Sequence, residues 1–517
     1  MQTSTEPIMV VWTLLPCVVV TLIIMVQILH TRKERAKRVS RESLPLPPGP
    51  KGHPILGNLL YVIGPLRHNP HRGLASLAET YGPIMSFRLG LTRSLVVVSS
   101  AAMAHEILVK NDAALAARLV PDNVCALSYS STSMVFLPSS NQLWKQLRVT
   151  IGSRFSSSRG LDMTRVILEH HARQLTVHLR ACSGKPVSIR EAVSGTVLNV
   201  ISNVLFSKDV VDLCDPRAQW FRGLIAPVLE EWSKPSVSDA FPFLAPLDHL
   251  LGSRSRISTH LAKLFKFFKE EIIERRLASN EKHDDLLDVL LARHASSKIT
   301  LQQISTFLTD MFIAASETST STVQWAMAQL LHHPEKMEKV SAELALRLGS
   351  KDYVEESDLD KLPYLQAVVK ETLRLHPALP LIPREVVAHD GVSLSGLYHL
   401  PVETGVVINL WAIGRDPMVW PQQPEKFMPE RFLGDNAMHF QSKDFAFRPF
   451  GAGRRVCPGM DYTVRSVPLL LALILHKTEW RLPDGIATGG VDLNDRYGTV
   501  LNLATPLRAV PLVSTTV

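Results

Sequence analysis

The run Phe450-Gly-Ala-Gly-Arg-Arg-Val-Cys-Pro-Gly459 limits what this chain can fold into more than any other of its segments. It places one thiol, Cys457, in a glycine-relieved turn, with Arg454 and Arg455 just upstream and an apolar stretch, residues 460–476, just downstream. A metal ion removes the proton from a thiol held this way, and nearby N–H groups and positive charge stabilise the anion. Gly453 and Gly459 are expected to supply bends closed to residues with a Cβ and to let a large flat ligand approach the main chain. The apolar stretch reads as a helix whose N-terminal dipole points at the sulfur. The competing reading is a buried structural cysteine, since a free thiol is often just a small hydrophobe.

Apolar residues make up 46% of the 517, enough for a large core and too many for a disordered chain. Cys17, Cys125, Cys182, Cys214 and Cys457 are scattered with no C-x-x-C pair. An odd, dispersed set is no disulfide framework, which places the main body in a reducing compartment. Residues 8–29 carry no charge. A helix of that length, at about 1.5 Å per residue, crosses a hydrocarbon layer of about 30 Å, and Pro16 inside it is tolerable in a membrane. Arg32, Lys33, Arg35, Lys37, Arg38 and Arg41 follow it, while Glu6 alone precedes it. Positive charge stays on the cytosolic side, so the body is expected there. A cleaved signal peptide fits less well, because its basic residues would come first. Most of the net charge of +8 sits in this flanking cluster, so no nucleic-acid partner is needed to explain it. Leu44-Pro-Leu-Pro-Pro-Gly-Pro50 then reads as a stiff extended spacer. The expected division is an anchor over 1–30, a basic stop and proline-rich hinge over 31–52, and one catalytic body over 53–517.

The body shows no internal repeat. Residues 83–89 and 94–99 read as strands joined by a turn at Gly90. Apolar residues recur at helical spacing over 141–153, 164–181, 190–206, 257–278, 301–332 and 364–375, and short strands are expected near 402–408 and 500–510. A large helical part with a small β-rich part is an α+β layout. Residues 239–246 form an apolar loop between helical regions.

Further residues bear chemistry. Trp144 and Arg148 lie four apart on one helix face. Glu317 and Thr318 set an acid beside an alcohol in an apolar helix, where an unpartnered carboxylate is costly. Alternatively, Thr318 back-bonds to the carbonyl of Ala314. Glu371 and Arg374 meet at i and i+3, and Arg431, in Phe427-Met-Pro-Glu-Arg-Phe432, can join the same carboxylate. Arg384 follows a proline in Leu381-Ile-Pro-Arg384. Pro468 falls inside the helix expected after Cys457, where it forfeits a hydrogen bond and costs about 3 kcal/mol or kinks the helix.

Taken in this order and spacing, the motifs resemble the cytochrome P-450 family over essentially the whole chain. The resemblance implies a mainly helical fold with a small β-rich subdomain and an N-terminal transmembrane helix. It implies haem b ligated by Cys457, with Phe450, Gly451 and Gly453 forming the haem loop. Trp144, Arg148, Arg384 and Arg455 would bind the propionates. Glu317 and Thr318 would relay protons, and Glu371, Arg374 and Arg431 would form a structural triad. A thiolate ligand favours O–O cleavage over reversible oxygen carriage. The family usually has glycine where this chain has Ala315. Ser133-Met-Val-Phe-Leu-Pro138, Asn409-Leu-Trp-Ala-Ile-Gly-Arg-Asp-Pro417 and Met327-Ala-Gln-Leu330 resemble the plant microsomal group, in the branch of geraniol and labdane-type diterpene hydroxylases. That implies an endoplasmic reticulum membrane protein that oxidises terpenoids with NADPH electrons from a reductase docking at Lys145, Lys443 and Arg448. Substrate would be faced by 123–134, 311–318, 378–382 and 497–501, and the 239–246 loop would touch the membrane. Oxidation of phenolics, flavonoids or xenobiotics, a reductase-independent hydroperoxide isomerase or dehydratase, and a non-catalytic haem sensor are the alternatives.

Overall fold

The structure, a computed structural model, describes residues 44–90, 93–212, 217–234, 236–246, 252–279, 281–434, 438–440, 445–487 and 490–513. The expected membrane span at 8–29 lies outside these residues. Among the described residues no helix is long and apolar enough to cross a membrane.

The helix Leu301–His332 runs through the middle of the helical part and keeps the bounds expected from its pattern. It starts at a capping box: Thr300 Oγ1 accepts from the Gln303 N–H at 3.2 Å, and Gln303 Oε1 accepts from the Thr300 N–H at 2.9 Å. Phe307, Phe312, Val323 and Trp325 on different sides of it are fully buried, as expected of a helix apolar all round. Around it pack the helices Ile189–Phe206, Ser253–Phe267, Pro363–Leu375 and Met460–Leu475. The single helix expected over 257–278 runs unbroken from Ser253 to Ser279. Its α-helical part, Ser253–Phe267, passes into a π-helical stretch, Phe268–Glu274, and then Arg275–Ser279. Met460–Leu475 continues through Pro468, and nothing in the structure explains that proline.

The largest sheet has the order Ile84–Leu89, Arg93–Val98, Gly405–Asn409, Leu381–Glu385, with only the central pair parallel. The strand expected over 500–510 is two strands in different sheets. Val500–Leu503 pairs with Asp495–Gly498, while Arg508–Val513 lies between Val187–Ser188 and Thr478–Arg481. Pro506 sits in the break between them. The proline segment 44–50, extended as expected, is a strap docked on the body. The Pro48 carbonyl accepts from the Ser86 N–H at 2.8 Å, Ser86 Oγ donates to the Pro47 carbonyl at 2.6 Å, and the His399 N–H donates to the Pro45 carbonyl at 3.0 Å. Only glycine fits at position 49, because an added Cβ would run into the Ser86 carbonyl.

Candidate active site

The cysteine loop closes on itself, the Cys457 N–H donating to the Phe450 carbonyl at 3.0 Å, and the helix Met460–Leu475 begins three residues later. Gly451 and Gly453 are the left-handed residues of this loop, both at φ 70°. An added Cβ at Gly453 would also strike Asp112 Oδ1 and the Leu108 carbonyl. Gly459 departs from expectation. Its φ of −94° is open to any residue, and its role is the N–H that it offers to the sulfur. Cys457 is a half-buried free thiol. Burial pushes its proton affinity up, while the Gly459 N–H, Arg148 and Arg118 act to lower it.

The guanidinium groups come from four distant segments. Arg455 is buried and donates Nε to the Ala116 carbonyl at 2.7 Å and Nη1 to the Met134 carbonyl at 3.3 Å. It lies over the Trp144 ring, 4.9 Å from its centre. Arg148 donates Nη2 to the Val456 carbonyl at 2.6 Å, next to the thiol. Arg384 is buried and donates to the carbonyl of Pro383 at 3.0 Å. The sequence reading missed Arg118, which stands alone in no recognisable motif. It donates to the same Pro383 carbonyl at 3.2 Å, and its Nε is shut off from solvent with no hydrogen-bond partner. Burial and mutual repulsion lower the proton affinity of Arg384, and lower that of Arg455 to about 9; burial brings Arg118 to about 10. Asp112 is the carboxylate that opposes the effect on Arg384 and Arg455. Such a cluster is short of negative charge.

An internal space lies beside it. Ala314 is exposed and Ala315 and Thr318 are half-buried, although Ile313, Ser316 and Glu317 around them are buried in the core. Exposure in mid-helix on an otherwise sunken helix marks a cavity against that face. A flat ligand carrying a metal and two carboxylates fits what is present: a thiol for the metal, guanidiniums for the carboxylates, and space for the ring.

Thr318 Oγ1 donates to the Ala314 carbonyl at 2.7 Å, the back-bond of a mid-helix threonine. Glu317 is not the unpartnered acid that its apolar surroundings suggested. Arg190, on the helix Ile189–Phe206, is ion-paired with its Oε2 and also donates to Asn502 Oδ1 at 2.5 Å. The four stretches expected to face a substrate converge. The Leu501 N–H donates to the Ala378 carbonyl at 2.9 Å, and the Leu501 carbonyl accepts from Ser321 Oγ at 2.5 Å and Trp325 Nε1 at 3.0 Å. Residues 129–134 are tied to Asp310 on the same helix. Asn123 faces elsewhere, its Nδ2 donating to the Glu231 carbonyl at 2.8 Å.

The frame is built on the helix Pro363–Leu375. Arg374 grips Glu371 with Nε at 2.6 Å and Nη2 at 2.7 Å, and donates to the carbonyls of Gly414, Pro424 and Lys426 at 2.5, 2.6 and 3.0 Å. Both side chains have zero exposure. The Met428 N–H fills Glu371 Oε1 at 2.7 Å, and Arg431 Nε stands more loosely at 3.4 Å.

The fold and the site residues fit a haem-binding oxidoreductase. Residues 47–489 match the sequence profile of the cytochrome P-450 family, and the chain belongs to that family. It is 42% identical to oryzalexin E synthase of Oryza sativa subsp. japonica over 485 residues, 92% of this chain and 93% of the relative. It is 40% identical to ent-cassadiene C11-alpha-hydroxylase 1 of the same plant over 474 residues, 91% and 93% of the two chains. Geraniol 8-hydroxylase of Catharanthus roseus is 38% identical over 499 residues, 95% of this chain and 99% of the relative.

Proposed function

We propose that this chain is a membrane-anchored monooxygenase that hydroxylates a terpenoid, using NADPH electrons delivered by a reductase. The observation that carries this reading is the half-buried Cys457 in a closed loop beside a cluster of guanidiniums and a cavity against Ala314. Haem b, held there by Cys457, Arg118, Arg148, Arg384, Arg455 and Trp144, would supply oxygen activation. The chain's own residues do the rest. Ala314 and Ala315 give the cavity an apolar wall suited to a hydrocarbon. Thr318 keeps its hydroxyl at the cavity wall, its hydrogen committed to Ala314 and its lone pairs left to accept. Glu317 beside it is buried and held in place by its ion pair with Arg190.

The relatives named for geraniol, ent-cassadiene and oryzalexin support a terpenoid substrate. The uncharged run 8–29 and its basic flank support an endoplasmic reticulum anchor. Exposed Lys145 suits an acidic docking partner such as a reductase, whereas Arg448 is half-buried, its guanidinium 4.9 Å from the centre of the Phe445 ring. Lys443 lies outside the described residues. The test is expression in microsomes with a plant reductase, supplied with geraniol and ent-cassadiene. NADPH-dependent products heavier by one oxygen are expected; turnover of a hydroperoxide without NADPH, and none of these products, would refute the reading.

A further inference from the structure

The mechanism above leaves the buried acid Asp310 unused. Asp310 lies one turn before Ala314 on the Leu301–His332 helix and is 1% exposed. It accepts from Tyr129 Oη at 2.5 Å, Ser133 Oγ at 2.7 Å and the Met134 N–H at 2.7 Å. Among the described residues no cation is paired with it. Burial therefore raises its proton affinity, to a pKa of about 6. A carboxylate kept in the core on neutral donors alone costs stability. Its retention calls for another explanation.

The chain that it holds supplies one. Just before Tyr129, Leu127 and Ser128 take the left-handed conformation, at φ 51° and 58°. For residues with a Cβ this conformation costs about 1–2 kcal/mol each and persists only where the surroundings impose it. The surroundings do so on three sides. Asp310 pins 129, 133 and 134, and Thr132 Oγ1 bonds Thr306 Oγ1 at 3.1 Å one turn back along the same helix. The Tyr129 ring lies among Trp232, Phe265 and Phe136, with centres 5.4, 6.2 and 6.3 Å away. On the far side the Met134 carbonyl accepts from Arg455, two residues from Cys457. One residue, Met134, thus spans from the cysteine loop to the helix that borders the cavity.

We propose that Asp310 is a positioning residue that clamps the bent 122–137 segment against the cavity and thereby sets which position of the substrate is oxidised. This rests on the functional reading above, in which that segment faces the substrate. The clamp acts through geometry and touches no reacting atom.

The experiment compares haem-loaded wild type, Asp310→Asn and Tyr129→Phe. Amide hydrogen exchange is followed over 122–137, and products from geraniol and ent-cassadiene are resolved by position of oxidation. Both variants should keep the wild-type Soret band with carbon monoxide. The Met134 amide should exchange about tenfold faster or more, as expected when a local opening is eased by about 1.4 kcal/mol. Oxidation should spread to additional positions on whichever substrate is accepted. Tyr129→Phe decides the matter if Asp310→Asn does not fold, and exchange alone decides it if neither substrate is accepted. Unchanged exchange and unchanged product ratios overturn the clamp. Absence of the thiolate-type band from wild type overturns instead the reading on which the clamp rests.

Discussion

Arg374 uses its whole guanidinium on Glu371 and three carbonyls, in a place with no access to water. Removing either member of such a pair leaves a buried charge and costs about 3–5 kcal/mol. Glu371→Ala and Arg374→Ala should therefore give haem-free or misfolded protein, and normal haem content in either, measured by absorbance, would contradict this. Arg118→Ala should fold but retain haem poorly, because it removes one cation from a cluster short of negative charge. Undiminished retention on gel filtration would count against its assignment. The sequence made Glu371 and Arg374 legible because they lie on one helix face. Arg118 and Arg190 were not legible: each acquires its partner only when segments more than a hundred residues apart are folded together.

The cysteine loop and the long central helix are the elements on which the chemistry depends. Gly453→Ala would place a methyl group against Asp112 and Leu108 at a left-handed residue. Expression with markedly reduced haem is the expected outcome; wild-type haem content would show that the loop can yield. The long helix also predicts a pH effect. Asp310 carries a raised pKa of about 6 in the fold against an ordinary 3.8, so the native state holds its proton more tightly than the unfolded chain. This contribution to stability is present below about pH 4 and is lost as pH rises to about 6. Its donors, Tyr129, Ser133 and the Met134 amide, stay neutral throughout that range. Denaturant titrations should show the downward slope in wild type and a flatter one in Asp310→Asn. Equal slopes would dismiss the effect. Periodicity was enough to bound the helix 301–332, whose apolar residues run all round it. It failed at 500–510, where a β-rich composition hid the break at Pro506.

Across the whole molecule, segments far apart in sequence meet at the cysteine loop, through Arg148 on Val456 and through Arg455 on Ala116 and Met134. The proline strap is hydrogen-bonded to Ser86 and His399 of the body. A protein lacking residues 1–43 should leave the membrane fraction while keeping its haem; co-sedimentation with vesicles after that deletion would place the membrane contact elsewhere. The central claim concerns the sulfur of Cys457, and its most direct measurement is the absorbance of the reduced, carbon monoxide-treated protein beside Cys457→Ser. The account predicts a strongly red-shifted Soret band in wild type that is lost in the variant. A wild-type band at the position given by histidine-ligated haem, or a variant indistinguishable from wild type, would contradict it.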